Sequence, residues 1–241
     1  MHSPLEQFDI KPLLPLEIGG YNVSFTNSSL LMCIAAGLAF LILFLGARKI
    51  QPHPSRLQAF SEILYNLIDD LVVDVSGKDA KKFVPLIFSL FLFILICNLL
   101  GMIPFSFTVT SHIAVTFALA IVLFIGITMV GFARHGWHYL SLFLPHGTPA
   151  VMAPLMVAIE LMSYLIRPVS LSLRLAANMT AGHVAMKVIA YLALTGGFLF
   201  GAFPFAFLCV FTGFEIFIAV LQAYIFSILT CVYLRDAVQL H

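Results

Sequence analysis

Charge is what this chain has least of. Among 241 residues only 10% are Asp, Glu, Lys or Arg and 61% are hydrophobic, against roughly 25% charged and 45–50% apolar in an ordinary soluble domain. That composition excludes a soluble globular protein. A net charge of +1 offers nothing to nucleic acid. The cysteines are few and scattered: Cys33, Cys97, Cys209 and Cys231 lie far apart in apolar segments, without the close pairing of a metal site, and read as packing residues. No Gly-Lys-Ser/Thr run is present, so the chain has no P-loop for a nucleotide. The uncharged runs also lack the period of two that a transmembrane barrel requires.

What is present is a series of charge-free runs near the ~20 residues that an α-helix needs to cross hydrocarbon. The expected architecture is an all-α polytopic membrane protein with about five crossings, one amphipathic surface helix and two final helices that are long and tilted or kinked. Residues 1–29 carry Glu6, Asp9, Lys11 and Glu17 before the first apolar run. A cleaved signal peptide would place its basic and apolar regions earlier, so the first span is expected to be retained. That span is 30–47, ended by Arg48-Lys49 and the proline-flanked Gln51-Pro52-His53-Pro54. Over 55–76, Leu57, Phe60, Leu64, Leu67, Ile68 and Leu71 recur at helical spacing opposite Arg56, Glu62, Asp69, Asp70 and Asp74, and Ser55 with Gln58 resembles a capping box. Such a helix suits the membrane surface or a partner's soluble domain, and the two are compatible.

Spans 84–104 and 113–133 follow as a hairpin. Thr148-Pro149 looks like a helix start, opening a stretch at 149–195. Gly196-Gly197 breaks it before a last stretch at 198–235. At 1.5 Å per residue these two would be about 70 and 55 Å long, too long to stand upright in a bilayer, and Pro168 offers a kink site. Basic residues crowd the first interhelical region, and Arg134 and Arg235 fall on the same side if there are five crossings. The positive-inside rule makes that side the cytoplasm or matrix, with the N-terminus outside and the C-terminus inside.

From Val84 to Leu234 the only acidic residues are Glu160 and Glu215, and the only Lys or Arg are Arg134, Arg167, Arg174 and Lys187. A charge in hydrocarbon costs ~2.5 kcal/mol or more, so each needs a partner, water or a function. Glu160, Arg167 and Arg174 are spaced by seven and share one helical stripe, with Asn178 close to it; Glu215, Gln222 and Asp236 form a second stripe. If the two helices are antiparallel neighbours, Glu160 and Asp236 fall toward the inner surface, Arg174 and Gln222 near the middle, and His183 and Glu215 toward the outer surface. Carboxylates and histidine exchange protons when their surroundings shift them suitably, whereas arginine keeps its proton. The pattern therefore suggests an ion path interrupted at its centre. Purely structural readings stand beside it: an interhelical ion pair for Arg174, an ion pair between Glu160 and Arg167, mutual hydrogen bonding of His183 and Glu215, and simple polar satisfaction for Gln222 and Asn178. Lys187 and Arg134 are expected to snorkel to the interfaces.

The run Ser170-Leu171-Ser172-Leu173-Arg174-Leu175-Ala176-Ala177-Asn178-Met179-Thr180-Ala181-Gly182-His183 resembles the signature of the subunit a family of F-type ATP synthases. Asn98-Leu99-Leu100-Gly101-Met102-Ile103-Pro104 and the stretch from Glu215 to Gln222-Ala223-Tyr224 resemble two further motifs of that family, so the likeness extends over essentially the whole chain.

The resemblance implies the stationary half of a rotary proton motor. It implies a c-type ring of carboxylate-bearing rotor subunits and b-type peripheral stalk subunits as partners, in a bacterial plasma membrane or a mitochondrial inner membrane. By the family pattern Arg174 faces the ring between two offset half-channels. Asn178, His183 and Glu215 match the outer one, Gln222 the residue beside the arginine, and Glu160 and Asp236 the inner one. Arg167 matches a basic position of some members only. The His183 and Glu215 order is the mitochondrial-like one of two family arrangements. No catalytic residue, cofactor or metal is expected, and the cargo is the proton. A self-contained proton or sodium transporter would be expected to show inverted repeats with broken helices, and the chain has no matching halves. An intramembrane hydrolase would need a nucleophile with a base, or a metal constellation, and neither is apparent. A mere scaffold would tolerate loss of Arg174.

Overall fold

The structure is a computed structural model and describes residues 12–15, 17–18, 21–22, 24–47, 56–103, 107–144, 152–195 and 197–238. Four very short strands open the described part: β1 (Pro12–Leu14) pairs antiparallel with β4 (Phe25–Thr26), and β2 (Glu17–Ile18) with β3 (Tyr21–Asn22). Two- and three-residue strands carry too little periodicity to be read from sequence. Helices follow: α1 (Asn27–Ala47), α2 (Arg56–Ser76), α3 (Val84–Gly101), α4 (Ile113–His135), α5 (Ala153–Thr195) and α6 (Gly197–Val238). Short 3-10 segments lie at Lys78–Phe83, Val109–Ser111 and Gly136–Phe143. Five helical stretches are long and apolar enough to cross a membrane.

The middle of the bundle is α3. Its most hydrophobic window is 61% buried, where the other four candidate spans reach 11–22%, as expected of a helix apolar on every face. Pro85 suits its first turn, where the missing N–H has no partner to lose. Around it pack Ala35 and Ala39 of α1, Ile68 and Val72 of α2, Leu171, Leu175 and Met179 of α5, and Ala223, Phe226, Cys231 and Leu234 of α6. The fully buried Ala219 and Ala223 of α6 and Ala35 of α1 let backbones approach closely, the usual packing device where lipid removes the hydrophobic drive between helices.

The amphipathic helix α2 does not lie free. Ile68, Leu71 and Val72 are buried in the chain's own bundle, the Ser76 hydroxyl donates to the Cys231 carbonyl at 2.7 Å, and Lys81 pairs with Asp69 at 3.0 Å. A second apolar row, Phe60, Ile63 and Leu67, stays exposed and is what remains for a membrane surface or a partner. The Ser55 cap and the Thr148-Pro149 start lie outside the described residues; Gln58 instead donates to Glu62 at 2.8 Å.

Gly136, at φ 57°, ends α4 in a conformation that costs an L side chain but not glycine. The turn carries Trp137 outward and Tyr139 inward. The last helix is longer than expected: α6 runs through Pro204 and past Arg235 to Val238, whereas α5 is described from Ala153 to the expected Thr195. At 1.5 Å per residue α5 and α6 exceed 60 Å each, about twice the hydrocarbon thickness, so neither fits upright within it. The helix α5 is continuous through the buried Pro168. Of the four free cysteines, Cys97 and Cys231 pack in the core as expected, whereas Cys33 and Cys209 sit on the outside of the bundle.

Candidate functional site

Three cross-links fix α5 and α6 as antiparallel neighbours. An Arg167 Nη1 donates to Asp236 Oδ2 at 2.9 Å, the Thr212 hydroxyl lies 3.8 Å from Met186 Sδ, and Gly182 is packed against Glu215. This register sets Gln222 level with the turn from Arg174 to Asn178. Along this register Arg167 meets Asp236, and Gly182 beside His183 meets Glu215, with Gln222 buried between these two levels. Arg134 and His135 both reach the Val238 carbonyl, at 3.5 and 3.2 Å, so the basic end of α4 meets the C-terminal end of α6.

Arg174 and Asn178 are exposed on the outside of the hairpin. Met162, Leu165, Ile166 and Leu173 of α5, and Phe214, Phe217, Val220 and Leu221 of α6, are also exposed. Among the described residues the ion pairs are Lys81–Asp69, Arg167–Asp236 and a 4.0 Å approach of Arg235 to Asp236; Arg174 takes part in none of them. Among the described residues, then, no ion pair holds this guanidinium. An arginine on an apolar membrane face costs roughly 2.5–3.5 kcal/mol by insertion scales, a cost that a carboxylate from outside the chain would offset.

Toward the end where α5 stops and α6 begins lies a buried group. His183 and Glu215 are both buried, and both carboxylate oxygens of Glu215 lack a hydrogen-bond partner among the described residues. The two side chains are therefore not hydrogen-bonded to each other. His183 Nε2 lies 3.2 Å from the hydroxyl of Thr108, a fully buried residue of the α3–α4 connection. Thr180, also on α5, donates to the carbonyl of Ser111 in the same connection at 3.3 Å. Glu215 fits only because residue 182 has no side chain: a Cβ there would lie 2.7 Å from Glu215 Cδ.

Gln222 is buried, and one turn before it Asn98 Nδ2 donates to the Ala219 carbonyl at 3.1 Å. Asn98 opens the first of the recurring motifs, and this bond ties α3 to α6 beside the centre of the stripe. At the opposite end Glu160 is half-buried, while Arg167 is engaged by Asp236 of α6 and not by Glu160. Thr108, Gly182 and Asn98 were not singled out by charge or spacing. Gly182 had a legible signal, since a glycine inside a helix costs ~1 kcal/mol relative to alanine and wants a packing reason. Thr108 had none, because its partner is 75 residues away.

A family model described as ATP synthase A chain matches residues 29–235, which includes α2 to α5 and all but the ends of α1 and α6. The chain belongs to the ATP synthase A chain family. A curated relative from Rhodospirillum rubrum, "ATP synthase subunit a", is 52% identical over 241 residues, covering 100% of both chains. Family membership and five apolar helices make this an integral membrane protein and one subunit of a larger complex.

Proposed function

We propose that this chain is the proton-translocating stator subunit of a rotary ATP synthase, and that Arg174 is the barrier that turns proton transfer into rotation. The observation that carries the reading is an exposed guanidinium in the middle of a long, mostly apolar helix, with titratable groups on either side along the α5–α6 hairpin and no ion-pair partner among the described residues. The occupant of that face is a c-type ring whose carboxylates pass Arg174 in turn. The b-type peripheral stalk contacts other surfaces, and lipid the remainder. By the positive-inside rule, the end bearing Lys81, Lys82, Arg134 and Arg235 faces the cytoplasm or matrix, in a bacterial plasma membrane or a mitochondrial inner membrane.

A proton from the outer side reaches a ring carboxylate through His183 and Glu215, with Asn178 lining the approach and Gln222 beside the arginine. The neutralised carboxylate can then enter lipid. The next one, arriving from the other direction, gives up its proton toward Glu160 and is held, ionised, near Arg174. Glu160 lies fourteen residues from Arg174, about 21 Å along the helix, and Gly182 eight residues away on the other side, about 12 Å. The two transfer points are thus offset, and a fixed cation separates them. The membrane potential drives the cycle with about 2.3 kcal/mol per charge per 100 mV. The self-contained transporter is not favoured, because the Rhodospirillum rubrum relative is named as a subunit.

The test is Arg174→Ala and Arg174→Lys in the assembled enzyme in membrane vesicles. Both are expected to abolish proton-driven ATP synthesis, the lysine because a titratable point charge replaces a permanently charged planar fork. Near-normal synthesis in either variant refutes the proposal.

A further inference from the structure

Arg167 and Asp236 lie on the inner stretch of the polar stripe, but their geometry differs from that of a proton relay. Their side chains are 19% and 20% exposed and joined at 2.9 Å. The guanidinium is flanked by two rings, Tyr164 of α5 at 5.4 Å and Tyr233 of α6 at 5.1 Å from the ring centroids, within cation–π range. Tyr164 is itself tied down: its hydroxyl lies 2.6 Å from the Thr128 hydroxyl of α4 and 3.2 Å from that of Tyr139 in the 3-10 segment after α4. Arg134 and His135, at the end of α4, reach the Val238 carbonyl at the end of α6. Three elements thus converge on the last turn of a 42-residue helix.

We propose that Arg167 and Asp236 are positioning residues: a charge-balanced clasp that holds the C-terminal turn of α6 on α5 and keeps an unpaired charge off the inner path, leaving Glu160 as the group that exchanges protons there. The inference rests on the stator reading above. Asp236 is occupied by a group that never gives up its proton, and Arg167 without Asp236 would be a second uncompensated cation about 10 Å along α5 from Arg174. What the site requires of this pair is neutrality and attachment, not a titratable carboxylate.

The experiment compares Asp236→Asn, Arg167→Gln and the double variant Arg167→Gln/Asp236→Asn in the assembled enzyme, reading ATP synthesis in vesicles and the amount of this chain in the purified complex. Each single variant leaves one charge uncompensated and is expected to lose about tenfold or more in synthesis, whereas the double variant, neutral and still able to hydrogen-bond, recovers to within about threefold of the parent. A double variant no better than the worse single one overturns the clasp and returns Asp236 to the relay. So does an Asp236→Asn enzyme that works normally. If the single variants fail to assemble, recovery of assembly in the double variant supports the clasp, and its absence overturns it. Arg174→Ala run in parallel separates the two proposals: retained coupling there sinks the stator reading, while the clasp is judged by rescue of assembly.

Discussion

Replacing Gly182 by alanine adds one methyl group where the structure has no room for it. The new Cβ would lie 2.7 Å from Glu215 Cδ and against its Oε1, so the carboxylate, the helix or both must move. Overpacking of this kind costs typically ~1–3 kcal/mol, partly offset by the ~1 kcal/mol that alanine gains over glycine in a helix interior. The net effect on assembly is therefore small. The effect on Glu215 is not, because the helix gain does nothing to restore its position: ~1–3 kcal/mol against the native placement corresponds to roughly a 5- to 150-fold fall in its population. Proton-driven ATP synthesis in vesicles should drop by a factor in that range while the complex still assembles. Gly213→Ala is the matched control, two residues from Glu215 on α6 with nothing within 4 Å of its added Cβ, and should leave synthesis unchanged. Adding Glu215→Asp to Gly182→Ala shortens the displaced side chain by one methylene and should recover part of the loss. A Gly182→Ala enzyme as active as the Gly213→Ala control would refute the reasoning.

Glu215→Gln should block transport yet leave the chain assembled, because neither carboxylate oxygen has a hydrogen-bond partner to lose among the described residues; ATP-driven proton pumping in vesicles checks it, and retained pumping would remove Glu215 from the path. Thr108→Val keeps shape and removes the hydroxyl at His183, so synthesis should fall several-fold and be rescued by Thr108→Ser; equal rates for the two variants would show that the hydroxyl does not position the imidazole. Ser76→Ala deletes a buried bond to the Cys231 carbonyl worth ~1 kcal/mol, and should lower the temperature at which the solubilised complex loses this chain without altering the transport rate per assembled enzyme.

How far the sequence could be read depends on the length scale of each feature. Helix α3 was legible because an uncharged, mostly apolar run between Lys82 and Pro104 is long enough for a spanning helix. The shared stripe of Glu160, Arg167 and Arg174 was legible because spacings of seven along one helix survive any packing. The strands between Pro12 and Thr26 were not, being two or three residues long. Nor was the docking of α2, since a row such as Ile68, Leu71 and Val72 looks the same whether it meets lipid, a partner or its own bundle. At the site, Arg174 announced itself by the cost of a charge in an apolar run, whereas Thr108 is an ordinary residue until the chain folds it onto His183.

The amino-acid sequence by itself determined that this is a membrane-spanning helical chain with one permanent cation between groups that can carry protons, because hydrophobic length and the scarcity of charge are properties of the covalent chain. Only the tertiary structure decided which groups touch. It gave Arg167 to Asp236 and not to Glu160, left Glu215 without a hydrogen bond among the described residues against the bare backbone of Gly182, and left Arg174 exposed. Those outcomes depend on the register of two helices over some 60 Å, and a register is set by the packing of every turn at once.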